Sequence, residues 1–225
     1  GVINHFPYES VEMFELSKNT ESWELIWKGC IAVPEDLYFN DIGLKADGSF
    51  YASHMYRRDI TENEWLINSL FKSNSGHVVI WKDGDFIKVP NTEGSGPNGI
   101  LLDEESDLLY ISYNQGDKIS IFDLSTNTMG VDYFVQSPDN IHIGKSSLWV
   151  TSLDFQANDF GDCSEKVACS LPFSIHELDQ KTLKLKNKTS FSKTVFGLPT
   201  VAVPIDEMIY LGSFHSDRMG YFIKK

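Results

Sequence analysis

One pattern recurs four times along this 225-residue chain. Each copy has a polar residue beside an aliphatic one, then a short polar turn, then a strand-like run with an aromatic near its start. Phe39-Asn40-Asp41-Ile42 leads into Phe50-Tyr51-Ala52-Ser53, and Pro97-Asn98-Gly99-Ile100 leads into Leu109-Tyr110-Ile111-Ser112. Ser137-Pro138-Asp139-Asn140-Ile141 leads into Leu148-Trp149-Val150, and Leu198-Pro199-Thr200-Val201 leads into Ile209-Tyr210-Leu211-Gly212. The polar anchors Asn40, Asn98, Asn140 and Thr200 stand 58, 42 and 60 residues apart. Self-similarity on this scale in a β-rich chain predicts propeller blades, each repeat one sheet stacked on the next.

In a propeller, the innermost strand of each blade runs along a central channel. Anchors that enter this strand at one height bring amide and carboxylate oxygens from separate blades towards the axis. Hard oxygen donors of low total charge suit calcium. They suit zinc poorly, because zinc prefers His and Cys. A single Asn-Asp or Asn-Gly is more simply an Asx turn bonding its own backbone. Three copies at equivalent repeat positions, two carrying an adjacent Asp and Asn, favour the metal.

The composition is compatible with one β domain spanning residues 1–225. Hydrophobic residues make up 41%, and five Trp, nine Tyr and fifteen Phe suit sheet cores. With 19 Lys+Arg against 32 Asp+Glu, the formal charge is −13. That argues against nucleic acid or an anionic membrane as partner. No run approaches the ~18 apolar residues that a transmembrane helix needs. Gly1-Val2-Ile3-Asn4 reads as strand from the first residue, so a fragment, or one chain of a cleaved precursor, is expected. Cys163 and Cys169 lie in a polar loop without a nearby His, which favours a disulfide over zinc. Cys30 is expected to be buried or paired elsewhere. Asn187-Lys188-Thr189 is an N-glycosylation sequon, read as part of a polar turn. Disulfide and sequon together point to secretion or a secretory lumen.

Along the chain, Val11–Leu16 and Trp23–Trp27 predict a hairpin. Residues Asp59–Phe71 form the one predicted helix, opened by a capping box over Thr61-Glu62-Asn63-Glu64. Asp83-Gly84 predicts a tight hairpin turn between His77–Trp81 and Phe86–Val89. Ser174–Leu178 and Thr182–Leu185 predict a further hairpin, and Gly220–Ile223 a closing strand.

Taken together and in order, these residues resemble the paraoxonases (serum paraoxonase/arylesterase). The likeness rests on Val2-Ile3-Asn4-His5 with Val11-Glu12-Met13-Phe14, on Asn40-Asp41-Ile42, Asn98-Gly99-Ile100 and Asp139-Asn140-Ile141, and on Phe214-His215. The single triplets occur more widely in six-bladed lactonases; their order and context carry the resemblance. It implies an all-β, six-bladed propeller of which this chain supplies roughly the last four to five blades, with one short helical insertion. The first blade and a half would come from a companion chain or a missing segment. It also implies two calcium ions: Asn40, Asn98, Asp139 and Asn140 would hold the catalytic one and Asp41 a second, structural one. His5 resembles one half of a proton-moving His pair, and His54 a further His at the channel mouth. The family's calcium-binding Glu with its neighbouring Asp, and the second His of the pair, fall before residue 1. Leu153 stands where the family has a His, the Cys163–Cys169 loop replaces a shorter connection, and the family's terminal Cys has no counterpart.

The implied chemistry is calcium-assisted hydrolysis of a small ester or lactone, with His5 as general base or relay. Asp139 could alternatively take the attacking role. For His54 and His215 a structural role is the simpler reading, and His142 is expected to pack between Ile141 and Ile143. The absence of a Gly-x-Ser-x-Gly elbow argues against a serine hydrolase of that type. Two rivals stand beside this reading: a non-catalytic calcium-stabilised propeller that binds a ligand or protein, and a gluconolactonase-like sugar lactonase.

Overall fold

The alternating apolar runs become strands, and the polar turns between them close antiparallel hairpins. The computed structural model describes residues 1–155, 159, 163 and 167–224. The first sheet contains β1 (Val2–Asn4), β2 (Ser10–Lys18) and β3 (Trp23–Ala32). The second contains β4 (Phe39–Leu44), β5 (Phe50–His54), β6 (His77–Lys82) and β7 (Asp85–Lys88). The third runs β8 (Pro97–Asp103), β9 (Leu108–Tyr113), β10 (Lys118–Asp123) and β11 (Thr128–Phe134). The fourth runs β12 (Pro138–Ile143), β13 (Ser147–Leu153), β14 (Phe173–Asp179) and β15 (Leu185–Phe191). The fifth is β16 (Pro199–Ile205), β17 (Met208–Ser213) and β18 (Gly220–Ile223). Within every sheet, sequence neighbours pair, so the arrangement is a five-bladed β-propeller of meandering blades. Among the described residues there are five blades, and the resemblance assigns four to five to this chain.

The apolar cores lie between blades. Val78 and Tyr51 of the second sheet pack with Ile100, Ile111 and Phe122 of the third. Tyr110 and Ile119 pack with Ile141, Val150 and Leu178 of the fourth. Trp149 and Ile175 pack with Ala202 and Ile209 of the fifth. The innermost strands β4, β8, β12 and β16 touch in that order. Only these four carry anchors, and the first sheet shows why. A Cβ on Gly1 would meet Ile42 and Leu44 at the end of β4, whereas His5 stacks on Tyr38 just before β4 begins. β1 therefore runs opposite to β4 and takes the place of a second strand. Among the described residues the first blade has no inner strand.

The helix α1 (Glu62–Phe71) forms between β5 and β6 with the expected capping box: Glu64 N donates to Thr61 Oγ1 at 3.2 Å and Thr61 N donates to Glu64 Oε2 at 3.0 Å. Asp83-Gly84 makes the expected turn with both residues at positive φ. Three local expectations change. Cys30 is exposed and free on β3. The turn before β15 is longer than expected, because Asp179 Oδ1 accepts from Lys181 N, Thr182 N and Thr182 Oγ1. The strand thus starts at Leu185, and Asn187 sits half-buried on a blade's outer strand, paired with Glu177, rather than in a turn. The Cys163–Cys169 disulfide is formed. No helix among the described residues is long and apolar enough to cross a membrane.

Candidate metal centre

Each anchor falls where the ladder between the first two strands of its blade slips. Phe39 faces His54 and Ile42 faces Ala52, so Asn40 and Asp41 together oppose Ser53. Asn98 and Gly99 likewise oppose Ser112, and Asp139 and Asn140 oppose Thr151. In the fifth sheet the slip leaves Thr200 unpaired between Pro199 and Val201. These are β-bulges, which re-aim a side chain out of the pleat's alternation. The opposing hydroxyls are fully buried. Ser53 Oγ accepts from Asp41 N at 3.0 Å and donates to Asn98 O of the next blade at 2.5 Å. Thr151 Oγ1 donates to Thr200 O of the next blade at 2.7 Å. Ser53 and Thr151 thus each latch the anchor of the following blade, whereas Ser112 Oγ makes no such bond, and Thr200 enters this latch through its backbone carbonyl.

Three blades meet at one point through this geometry. The carboxylate of Asp41 accepts from Ile42 N at 2.8 Å and, across the blade boundary, from Ile100 N at 2.9 Å. A Cβ on Gly99 would lie 2.6 Å from the Asn140 Cα and from the Asp139 O, so only glycine permits this approach of the third and fourth blades. Burial raises Asp41 to about 6, and burial together with the charge of Asp41 raises Asp139 to about 7. The Oδ1 of Asn98 is buried without a hydrogen-bond partner. Two mutually repelling buried carboxylates and an orphan amide oxygen would be relieved by cations bound beside them. The donors are oxygens, as calcium prefers. Among the described residues no group of three or more His, Cys, Asp and Glu side chains is placed to hold a metal. Metal binding here therefore needs the amides of Asn98, Asn140 and Asn40 as well as the carboxylates. Asn40 is exposed, with Nδ2 3.9 Å from Met55 Sδ.

The ends of the inner strands that carry the anchors also lie beside the β1–β2 loop, and this end is termed the mouth. There His5 Nδ1 lies 2.9 Å from Glu9 Oε2, with the ring half-exposed and the carboxylate buried. Glu9 Oε1 in turn accepts from Phe39 N at 3.0 Å, one residue before Asn40. His5 stacks on Tyr38, which stacks on Tyr56. His54 lies deeper: it is buried and its Nδ1 accepts from Tyr38 N at 3.0 Å, which leaves its proton on Nε2. Burial pushes His54 below its ordinary value, and His77, ring-to-ring with it at 4.9 Å, down to about 4. Leu153 packs against the disulfide together with Leu198. His215 Nε2 lies 2.9 Å from Cys163 O, and His142 is half-buried opposite Trp149.

The structure thus brings together Asp41, Asn98, Asp139 and Asn140, and sets the His5–Glu9 pair beside Phe39 at the start of the Asn40–Asp41 bulge. Glu9 was missed by the sequence reading. Its only local signal is the spacing His5–Glu9; its burial depends on β4, thirty residues on.

No family model and no curated protein matches the chain. Solved structures do. A chain of a nidogen/laminin complex is 11% identical with a TM-score of 0.61, the match covering 95% of this chain and 74% of that one. A catalytically inactive virginiamycin B lyase from Staphylococcus aureus with quinupristin is 16% identical at TM-score 0.51, covering 90% and 56%. A luciferin-regenerating enzyme is 13% identical at TM-score 0.52, covering 92% and 65%. The chain spans roughly half to three quarters of the solved chains it matches. At these identities the likeness shows the propeller fold alone, a fold that serves enzymes and binding proteins alike.

Proposed function

We propose that this protein is a calcium-dependent hydrolase of carboxylic esters and lactones. Asn40, Asn98, Asp139 and Asn140 would hold the catalytic ion and Asp41 a structural one. The observation that carries this reading is the convergence of two buried carboxylates, both pushed above their ordinary range, and the orphan Asn98 Oδ1 from the bulges of three successive inner strands. Calcium bound there supplies Lewis acidity to the substrate carbonyl and charge stabilisation to the developing oxyanion. His5 serves as general base: Glu9 fixes the proton on Nδ1, leaving Nε2 to take a proton from the attacking water. Tyr38 holds the imidazole face-on, and His54 positions Tyr38 through its backbone N–H. The disulfide supports placement in a secretory compartment. The second-strand position of β1 supports completion of the ring by a strand and blade from outside these residues.

The test is hydrolysis of phenyl acetate and a medium-chain lactone before and after chelation. Activity should vanish with the chelator and return with calcium. Turnover indifferent to chelation, or none in protein that retains calcium, sinks the proposal.

A further inference from the structure

Among the described residues, five of the eight buried polar side-chain atoms without hydrogen-bond partners lie in one blade. Ser95 Oγ, Asn98 Oδ1, Ser112 Oγ and both polar atoms of the Gln115 amide are all buried and unpaired. All four residues belong to the mouth end of the third blade. Asn98 and Ser112 face each other across the anchor bulge, and the Asn98 oxygen belongs to the proposed metal centre. Ser95 and Gln115 belong to no site described above.

These two are held side by side. Asn114 N donates to Gly96 O at 2.8 Å and Gly116 N donates to Ser95 O at 3.0 Å, folding the turn after β9 onto the approach to β8. Gly96 has φ +61°, and a Cβ there would stand 3.0 Å from Gln115 Cγ, so the glycine both permits the turn and clears room for the glutamine stem. Asn114 Nδ2 donates to Pro138 O at 3.1 Å, which ties the same turn to the residue before Asp139. Ser95 and Gln115 are 5% and 6% exposed. An unpaired buried amide is costly, and such groups persist where a ligand supplies the missing partners. The neighbouring charges are already used. Lys72 Nζ pairs with Asp117 at 2.7 Å, Ser137 N donates to Asp117 Oδ1 at 2.9 Å, and Lys118 pairs with Asp132 at 3.0 Å. The matching ligand group is therefore neutral and both donates and accepts, as a hydroxyl does.

We propose that Gln115 and Ser95 form a specificity subsite that reads hydroxyl groups carried near the reacting carbonyl, so that the preferred substrate is a hydroxylated lactone or ester rather than an aryl ester or alkyl lactone. The substrate class rests on the hydrolase reading; the subsite is tested without turnover. Calcium-loaded protein is titrated calorimetrically with two hydrolysis-resistant lactams of equal ring size, one polyhydroxylated and one bare. The hydroxylated lactam should bind about tenfold tighter, the discrimination expected of a neutral hydrogen-bonded pair. That ratio should fall towards one in Gln115→Leu and part-way in Ser95→Ala, with thermal melts confirming that both variants fold. Equal affinities in the unmutated protein, no binding of either lactam, or a ratio untouched by both substitutions overturns the subsite and leaves Gln115 holding water only. Turnover of the corresponding polyhydroxylated lactone by the same preparation separates the two ideas. A lactam preference without turnover upholds the subsite and sinks the hydrolase, whereas turnover without a preference sinks the subsite alone.

Discussion

At the scale of single residues, Asp139 carries the sharpest consequence of the metal reading. Its carboxyl is disfavoured as an anion by burial and by Asp41. Asp139→Asn should raise the melting temperature in chelator while weakening calcium binding by more than about tenfold, since ligand charge sets calcium affinity. Calorimetric melts with and without calcium read both effects; a variant less stable in chelator would show that the carboxylate has other work. His176 gives the pH dependence. It is 3% exposed, accepts or donates at Nδ1 with Tyr133 Oη at 2.9 Å, and burial pushes it down to about 4. Below about 6.5 the unfolded chain binds a proton that the folded one refuses, so the stability His176 contributes is present above 6.5 and is lost as pH falls towards 4. The full loss is about 3 kcal/mol, and His176→Gln should reduce the slope of the urea-melt stability between these limits, leaving the share of His77, which burial also holds down to about 4. The anchors were legible in the sequence because each repeats in a fixed frame. Glu9, Ser95 and Gln115 were not, because burial of a polar side chain is a property of folded neighbours and leaves no trace in composition.

At the scale of elements, local chemistry decided what could be read. The helix was legible because Thr61 and Glu64 cap each other's backbone within one turn, a signal contained in four residues. It buries none of its residues, and Ile67, Leu70 and Phe71 are exposed, so its stability depends on that cap more than on packing. Thr61→Ala should therefore cost about 1 kcal/mol locally, seen as faster amide exchange across Glu62–Phe71 with the global melt almost unmoved. A large drop in the global melt would mean that the helix is coupled to the blades. The start of β15 was misjudged for the converse reason. Thr182–Leu185 has strand-like alternation, yet the side chain of Asp179 captures three donors and prolongs the turn, and Leu183 takes positive φ and is buried within the core between the third and fourth blades. Asn187 is carried into the strand as a result.

At the scale of the whole molecule, repetition revealed the blades but not how they end. The four anchored repeats gave four inner strands, while the orientation of β1 against β4 could be known only from contacts far apart in sequence. Among the described residues the first sheet packs against the second, and on its edge strand β3 the side chains of Trp23, Leu25 and Trp27 are each more than half exposed. Exposed apolar edges of this kind recruit further strands. In reducing buffer, which removes the exposed Cys30 as a route to dimers, sedimentation should show association that grows with concentration. Leu25→Lys places a charge on that edge and should shift the distribution towards monomer. Val131→Lys, at an exposed position on the outer strand of the third blade, should leave it in place. Equal effects from both substitutions would trace the association to net charge, which is already −13, and not to the exposed edge of the first blade.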